Sequence, residues 1–158
     1  MRAKSILVVV LSLCLAANAA AQEEDAFRQL VNEAKAAYEA GEMERAKELY
    51  HSALERDEAN AAIYYNLGNI NYDMGAYRGA IEAYQNALDR GADDLRVYYN
   101  LGNAHYEVGD FEAALRAYEG ARSAGEAAGD DGQLLVNSAK ALLQLERADK
   151  AVALLEEY

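Results

Sequence analysis

Asparagine and tyrosine are the side chains whose spacing in this chain suggests a chemistry. Asn32, Asn66 and Asn100 recur every 34 residues, and Asn137 follows after 37. Three series run beside them: Val31, Tyr65, Tyr99 and Val136; Lys35, Asn69, Asn103 and Lys140; Tyr38, Tyr72, Tyr106 and Leu143. An amide side chain offers donor and acceptor together, so a column of asparagines can pair with the main chain of an extended peptide. Tyrosine adds flat, amphipathic contact area with little rotamer entropy to lose. That chemistry is recognition rather than bond-making. A second reading stands beside it, in which the same residues only hold neighbouring helices together.

Groups that make or break bonds are scattered. His51 and His105 lie in different sequence contexts, and neither has a cysteine or a second histidine at ligand spacing, so no metal site is expected. Ser52, Ser123 and Ser138 sit in no nucleophile elbow. Gly125, Gly129 and Gly132 lack the spacing and the preceding strand of a phosphate-binding loop, and Asp130-Asp131 reads as a solvated pair rather than a calcium site. The chain reads as a non-enzymatic protein without cofactors.

Charge narrows the partner. There are 15 basic against 27 acidic side chains, a net charge of −12, which leaves no electrostatic footprint for nucleic acid or anionic lipid. Glu39, Asp73 and Glu107 place a carboxylate beside the asparagine column in three successive copies, so the field favours a neutral to basic protein segment over an acidic tail.

The elements that must position these residues follow from a repeat. Tyr64-Tyr65-Asn66-Leu67-Gly68-Asn69 returns unchanged as Tyr98-Tyr99-Asn100-Leu101-Gly102-Asn103, and residues 61–94 and 95–128 agree at 13 of 34 positions. The phase extends backward, with glycine at Gly41, Gly75 and Gly109, alanine at Ala46, Ala80 and Ala114, and tyrosine at Tyr50, Tyr84 and Tyr118. This gives units at about 27–60, 61–94 and 95–128, and a shorter fourth at 132–158 that starts three residues late. The extra residues fall in the Gly-rich stretch 123–132, expected to be a loop. Helix-favouring Ala, Leu, Glu and Arg with no proline make each unit a pair of helices. Tyr64, Leu67, Gly68 and Asn71 share one helical face, and Gly75 ends that helix. Gly68 and Ala80 are small enough for the two helices to approach, with Tyr84 filling the space beside them.

Tyr64, Leu67, Gly68, Ala80, Tyr84 and Ala87, and again Tyr98, Leu101, Gly102, Ala114, Tyr118 and Ala121, resemble the signature of the tetratricopeptide repeat (TPR). The end units depart from it, with Leu30 and Leu135 for the leading aromatic and Glu33 and Ser138 for the core leucine. Glu58, Ala92 and Glu126 stand where the family usually has proline, so Gly91, Gly125 and the Asp93-Asp94 and Asp130-Asp131 pairs are expected to turn the chain. The resemblance implies an all-α, right-handed α-solenoid whose first helices line a concave groove. It also implies a peptide-binding role for Asn32, Asn66, Asn100, Asn137, Tyr65, Tyr99, Asn69, Asn103, Tyr72 and Tyr106, similar to the asparagine ladder of O-linked N-acetylglucosamine transferase. The family's carboxylate clamp is not intact, because Val31, Lys35 and Asn100 replace its first lysine, first asparagine and arginine.

The ends set the address. Arg2 and Lys4, the apolar run Ile6 to Ala17 and the small residues up to Ala21 match a secretory signal peptide cut after Ala21, which places the chain in the periplasm or outside the cell. Removal of residues 1–21 changes the charge to 13 − 27 = −14. Lipidation of Cys14 is one alternative, though Leu13 before it is large for lipoprotein processing, and an uncleaved anchor is another. At the other end, Val152, Leu154 and Leu155 offer a surface for self-association. The leading expectation is an envelope adaptor that holds a protein segment. The alternatives are a tethered assembly lipoprotein and a regulatory accessory subunit, for example of the Bat aerotolerance type.

Overall fold

The computed structural model describes residues 2–125 and 132–156, with eight helices among them. They divide into two compact units, residues 1–58 and 59–158.

The first unit is a helix pair, α1 (Arg2–Glu39) and α2 (Met43–Leu54). Gly41 turns the chain at φ 78°, with the Gly41 N–H donating to the Tyr38 carbonyl and the Glu42 N–H to that of Ala37. This is the Schellman arrangement, and it satisfies carbonyls that the helix end leaves open. Ala34, Ala37, Ala46, Tyr50 and Ala53 are buried. The Tyr50 hydroxyl is pushed up to about 12 by burial and then by the Glu39 charge. The amino-terminal part of α1 runs unbroken through Ala21, with Leu13 and Leu15 exposed. No helix among the described residues is long and apolar enough to cross a membrane.

The second unit stacks three pairs: α3 (Ala61–Asp73) with α4 (Tyr77–Asp89), α5 (Leu95–Glu107) with α6 (Phe111–Gly125), and α7 (Gly132–Gln144) with α8 (Ala148–Glu156). Side-chain caps start two of the first helices: Asn60 accepts from the Ile63 N–H, and Asp94 from the Arg96 N–H. Schellman turns close all three pairs, through Gly75, Gly109 and Glu146. Glu146 holds φ 57° where the other pairs have glycine, a conformation that strains a side chain.

Small residues set the distance between paired helices. A Cβ on Gly68 would overlap the Tyr84 ring, and one on Gly102 the Tyr118 ring. Ala80, Tyr84, Ala87, Val97, Leu101, Ala104 and Ala117 form one core cluster, so α5 shares its apolar face with α4 and α6. Ala114, Tyr118, Ala121 and Leu134 carry the core onward to α7. Each pair thus packs its apolar residues against the next along the stack.

Gly125 departs from the expectation that it turns the chain. It is buried in the last turn of α6, where a Cβ would overlap Leu95, so its smallness admits a neighbouring side chain. Of the loop expected at 123–132, residues 123–125 are the end of α6 and Gly132 begins α7. The Asp130-Asp131 pair lies outside the described residues. Gly91 does turn the chain, at φ 89°.

Candidate functional site

In the second unit the first helices of successive pairs, α3, α5 and α7, approach one another directly. Among the described residues no approach as close joins α4, α6 and α8; in a helix-pair solenoid of this kind the first helices are the ones that line the concave face. Nine of the ten sequence-derived site residues lie on these helices. Asn32 belongs to the first unit, where it is exposed on α1.

A repeated hydrogen-bond motif joins the asparagines. The Tyr84 hydroxyl donates to Asn69 Oδ1 at 2.8 Å, and Asn100 Nδ2 donates to the same oxygen at 3.0 Å and to the Tyr65 hydroxyl at 3.4 Å. One pair further along, the Tyr118 hydroxyl donates to Asn103 Oδ1 at 2.8 Å. Asn137 Nδ2 donates to that oxygen at 3.1 Å and to the Tyr99 hydroxyl at 3.0 Å. Tilted ring contacts, Tyr65 with Tyr84 and Tyr99 with Tyr118, brace each motif at centroid distances of 6.1 and 6.2 Å.

These bonds bear out the helix-joining reading of the asparagine column for Asn69, Asn100, Asn103 and Asn137. The Nδ2 donors of Asn100 and Asn137 are spent on the preceding pair, so these residues strut the stack. What is left over points elsewhere. Asn69 Nδ2, Asn103 Nδ2, Asn100 Oδ1 and the whole Asn66 amide have no hydrogen-bond partner among the described residues, and all four side chains are half-buried. Each can still serve a ligand main chain.

Three helices of the concave face and one behind them enclose a cleft of about 190 Å³, lined by Tyr72, Asn103, Tyr106, Glu107, Tyr118, Asn137 and Lys140. Tyr72 and Tyr106 are held edge-on by Tyr77 and Phe111, at centroid distances of 5.3 and 5.2 Å. Burial, and then the Glu107 charge, hold the Tyr72 phenol above its usual range. Burial also raises Tyr118, helped by Tyr99, Tyr72, Tyr106 and Glu107. Tyr72 and Tyr118 are therefore held in the neutral phenol form.

Tyr118, legible in the sequence only as a repeat position, also lines the cleft. Sequence reasoning treated Glu107 and Lys140 separately. Three helices bring them to one cleft, and no single helical face could show that.

Other reactive groups stay apart. His105 is mostly buried, its Nδ1 unbonded and 3.9 Å from Asp110 Oδ2, and burial lowers its pKa. No group of three His, Cys, Asp or Glu side chains gathers among the described residues.

A family profile described as TPR repeat matches residues 34–75 and 68–109, and a second, described as tetratricopeptide repeat, matches 99–158. The chain belongs to the tetratricopeptide repeat family. No curated protein sequence matches it. Among solved structures it is similar to MamA, at 24% identity and a TM-score of 0.75, over 82% of this chain and 69% of that one. It is also similar to the TPR domain of Sgt2 from Aspergillus fumigatus, at 24% identity and a TM-score of 0.69, over 78% and 82%. A third similar structure is YrrB, described as a TPR protein with an unusual peptide-binding site. It is 26% identical with a TM-score of 0.71, over 79% of this chain and 63% of that one. The all-α TPR solenoid expected from the repeat is the observed architecture, and as a TPR protein the chain is a protein-interaction scaffold.

Proposed function

We propose that the concave face of α3, α5 and α7 binds an extended, neutral to basic segment of a protein partner, and that the chain works without chemistry of its own. The observation that carries this is the residual valence of the asparagine motif. Its Oδ1 and Nδ2 atoms fix the helices to one another and still leave donors on Asn66, Asn69 and Asn103 and acceptors on Asn66 and Asn100 open. An extended main chain offers complementary groups at regular intervals. YrrB, of similar fold, is described as having a peptide-binding site.

The face also has apolar footholds. Val136 and Leu143, at the places held by tyrosine in the preceding pairs, are 43% and 55% exposed. A segment lying across the groove would cover them, at about 25 cal/mol per Å² removed from water.

The amino-terminal segment supports a place in the cell envelope, periplasmic or secreted, by its basic start, its apolar run and its small residues before Gln22. The exposed Leu13 and Leu15 fit a segment that contributes little to the core. The tethered lipoprotein and accessory-subunit alternatives differ in anchoring and in partner, and share the same groove.

Photo-crosslinking tests the groove. A photoreactive amino acid at Val136 or Leu143 is expected to trap partner peptides, identified by mass spectrometry, while one at exposed Glu119 of α6 is not. Equal trapping at all three positions would overturn the assignment.

A further inference from the structure

We propose that the cleft between α3, α5 and α7 is a subsite for one basic side chain, arginine or lysine, of the bound segment. This rests on the groove reading above and goes further by naming what the cleft selects.

The argument begins with charge left unpaired. Glu107 closes one side of the cleft and makes no ion pair among the described residues. Beside it stand Tyr72 and Tyr106, oriented by their edge contacts with Tyr77 and Phe111. A carboxylate flanked by tyrosine rings matches a guanidinium or ammonium group, which gains a charge-assisted hydrogen bond and contact with the rings. The volume of about 190 Å³ suits a single side chain rather than a folded element.

The cleft also carries a residue of the opposite sign. Lys140 of α7 also lines the cleft, and no ion pair joins it to Glu107. Its ammonium and the open Asn103 Nδ2 are donors only, and a main chain crossing the cleft mouth presents carbonyl acceptors to them. The cleft thus offers donors from α5 and α7 to the backbone and the α5 carboxylate to the side chain. With 27 acidic against 15 basic residues in the chain, the wider field also favours a cation.

Selection from a random peptide library displayed on phage tests this without a known partner. The full chain is expected to enrich peptides with Arg or Lys at one fixed position. Glu107→Gln is expected to lose that preference and to bind a synthetic winning peptide at least about tenfold more weakly. Lys140→Gln should keep the basic preference while binding more weakly overall. Enriched peptides without a basic position would overturn the subsite and leave the groove standing. Acidic enrichment that disappears in Lys140→Gln would overturn it in favour of the lysine. Failure to enrich any peptide would count against the groove reading itself. Circular dichroism of both variants should match the parent, since both side chains lie at the rim and neither enters the asparagine motif.

Discussion

Gly102→Ala tests whether the tyrosine behind the groove sets the helix spacing. An added Cβ would overlap the Tyr118 ring, which is 2% exposed and has no room to retreat. The ring is also tethered, because its hydroxyl donates to Asn103 Oδ1 at 2.8 Å. Overpacking of this kind costs about 1–3 kcal/mol. Alanine returns roughly 1 kcal/mol through its higher helix propensity. If Tyr118 moves far enough to break its hydrogen bond, about 1 kcal/mol more is lost. The net expectation is a destabilisation of about 1–3 kcal/mol, or a fall in Tm of several degrees at roughly 2–4 °C per kcal/mol for a chain of this size. Thermal unfolding followed by circular dichroism reads it. The decisive comparison is Gly102→Ala in a Tyr118→Leu background, where the clash is gone and alanine should be neutral or stabilising. A stabilising Gly102→Ala in the parent chain would refute the reasoning.

Four other outcomes are expected. Asn100→Ala removes two donated bonds and leaves Asn69 Oδ1 and the Tyr65 hydroxyl short of a partner, so urea unfolding should show a loss of about 1–2 kcal/mol, less than additive with Asn69→Ala. Glu146→Gly relieves a positive φ of 57° and should stabilise by up to about 1 kcal/mol, read as a higher urea midpoint. The buried Tyr50 hydroxyl titrates at about 12 when folded against an ordinary value near 10, so the folded state binds the proton more tightly. Its contribution to stability is full below pH 10 and is lost as pH rises from 10 to 12, and Tyr50→Phe should flatten that stretch of the stability profile. Intact-mass measurement of the processed protein should give a chain beginning at Gln22, whereas a lipid-modified cysteine at position 14 would move the protein to the membrane.

Much of the fold was legible because it is local and periodic. Gly68, Ala80 and Tyr84, with their counterparts 34 residues on, give both the helix pair and its close approach, and the Gly68 and Tyr84 contact follows from side-chain size. Gly125 was misplaced because glycine breaks helices when exposed but serves as a seat for Leu95 when buried, and the sequence does not show which neighbour arrives. The asparagine column was legible as a column, since spacing places residues on a face. The use of its atoms was not. Asn100 meets Asn69 and Tyr65 across 31 and 35 residues, and that choice depends on how one pair is rotated on the next. Asn137 keeps the same role despite the three-residue shift, because α7 restores the register that the repeat spacing loses. The cleft was hidden for a related reason, with walls drawn from four helices, α3, α5, α6 and α7.

The most direct test of peptide binding by the concave face is an NMR titration of the isotope-labelled chain with a peptide recovered from the library. Shift changes are expected to gather on Asn66, Asn69, Asn103, Tyr106 and Leu143, along α3, α5 and α7. Changes confined to α4, α6 and α8 would contradict it.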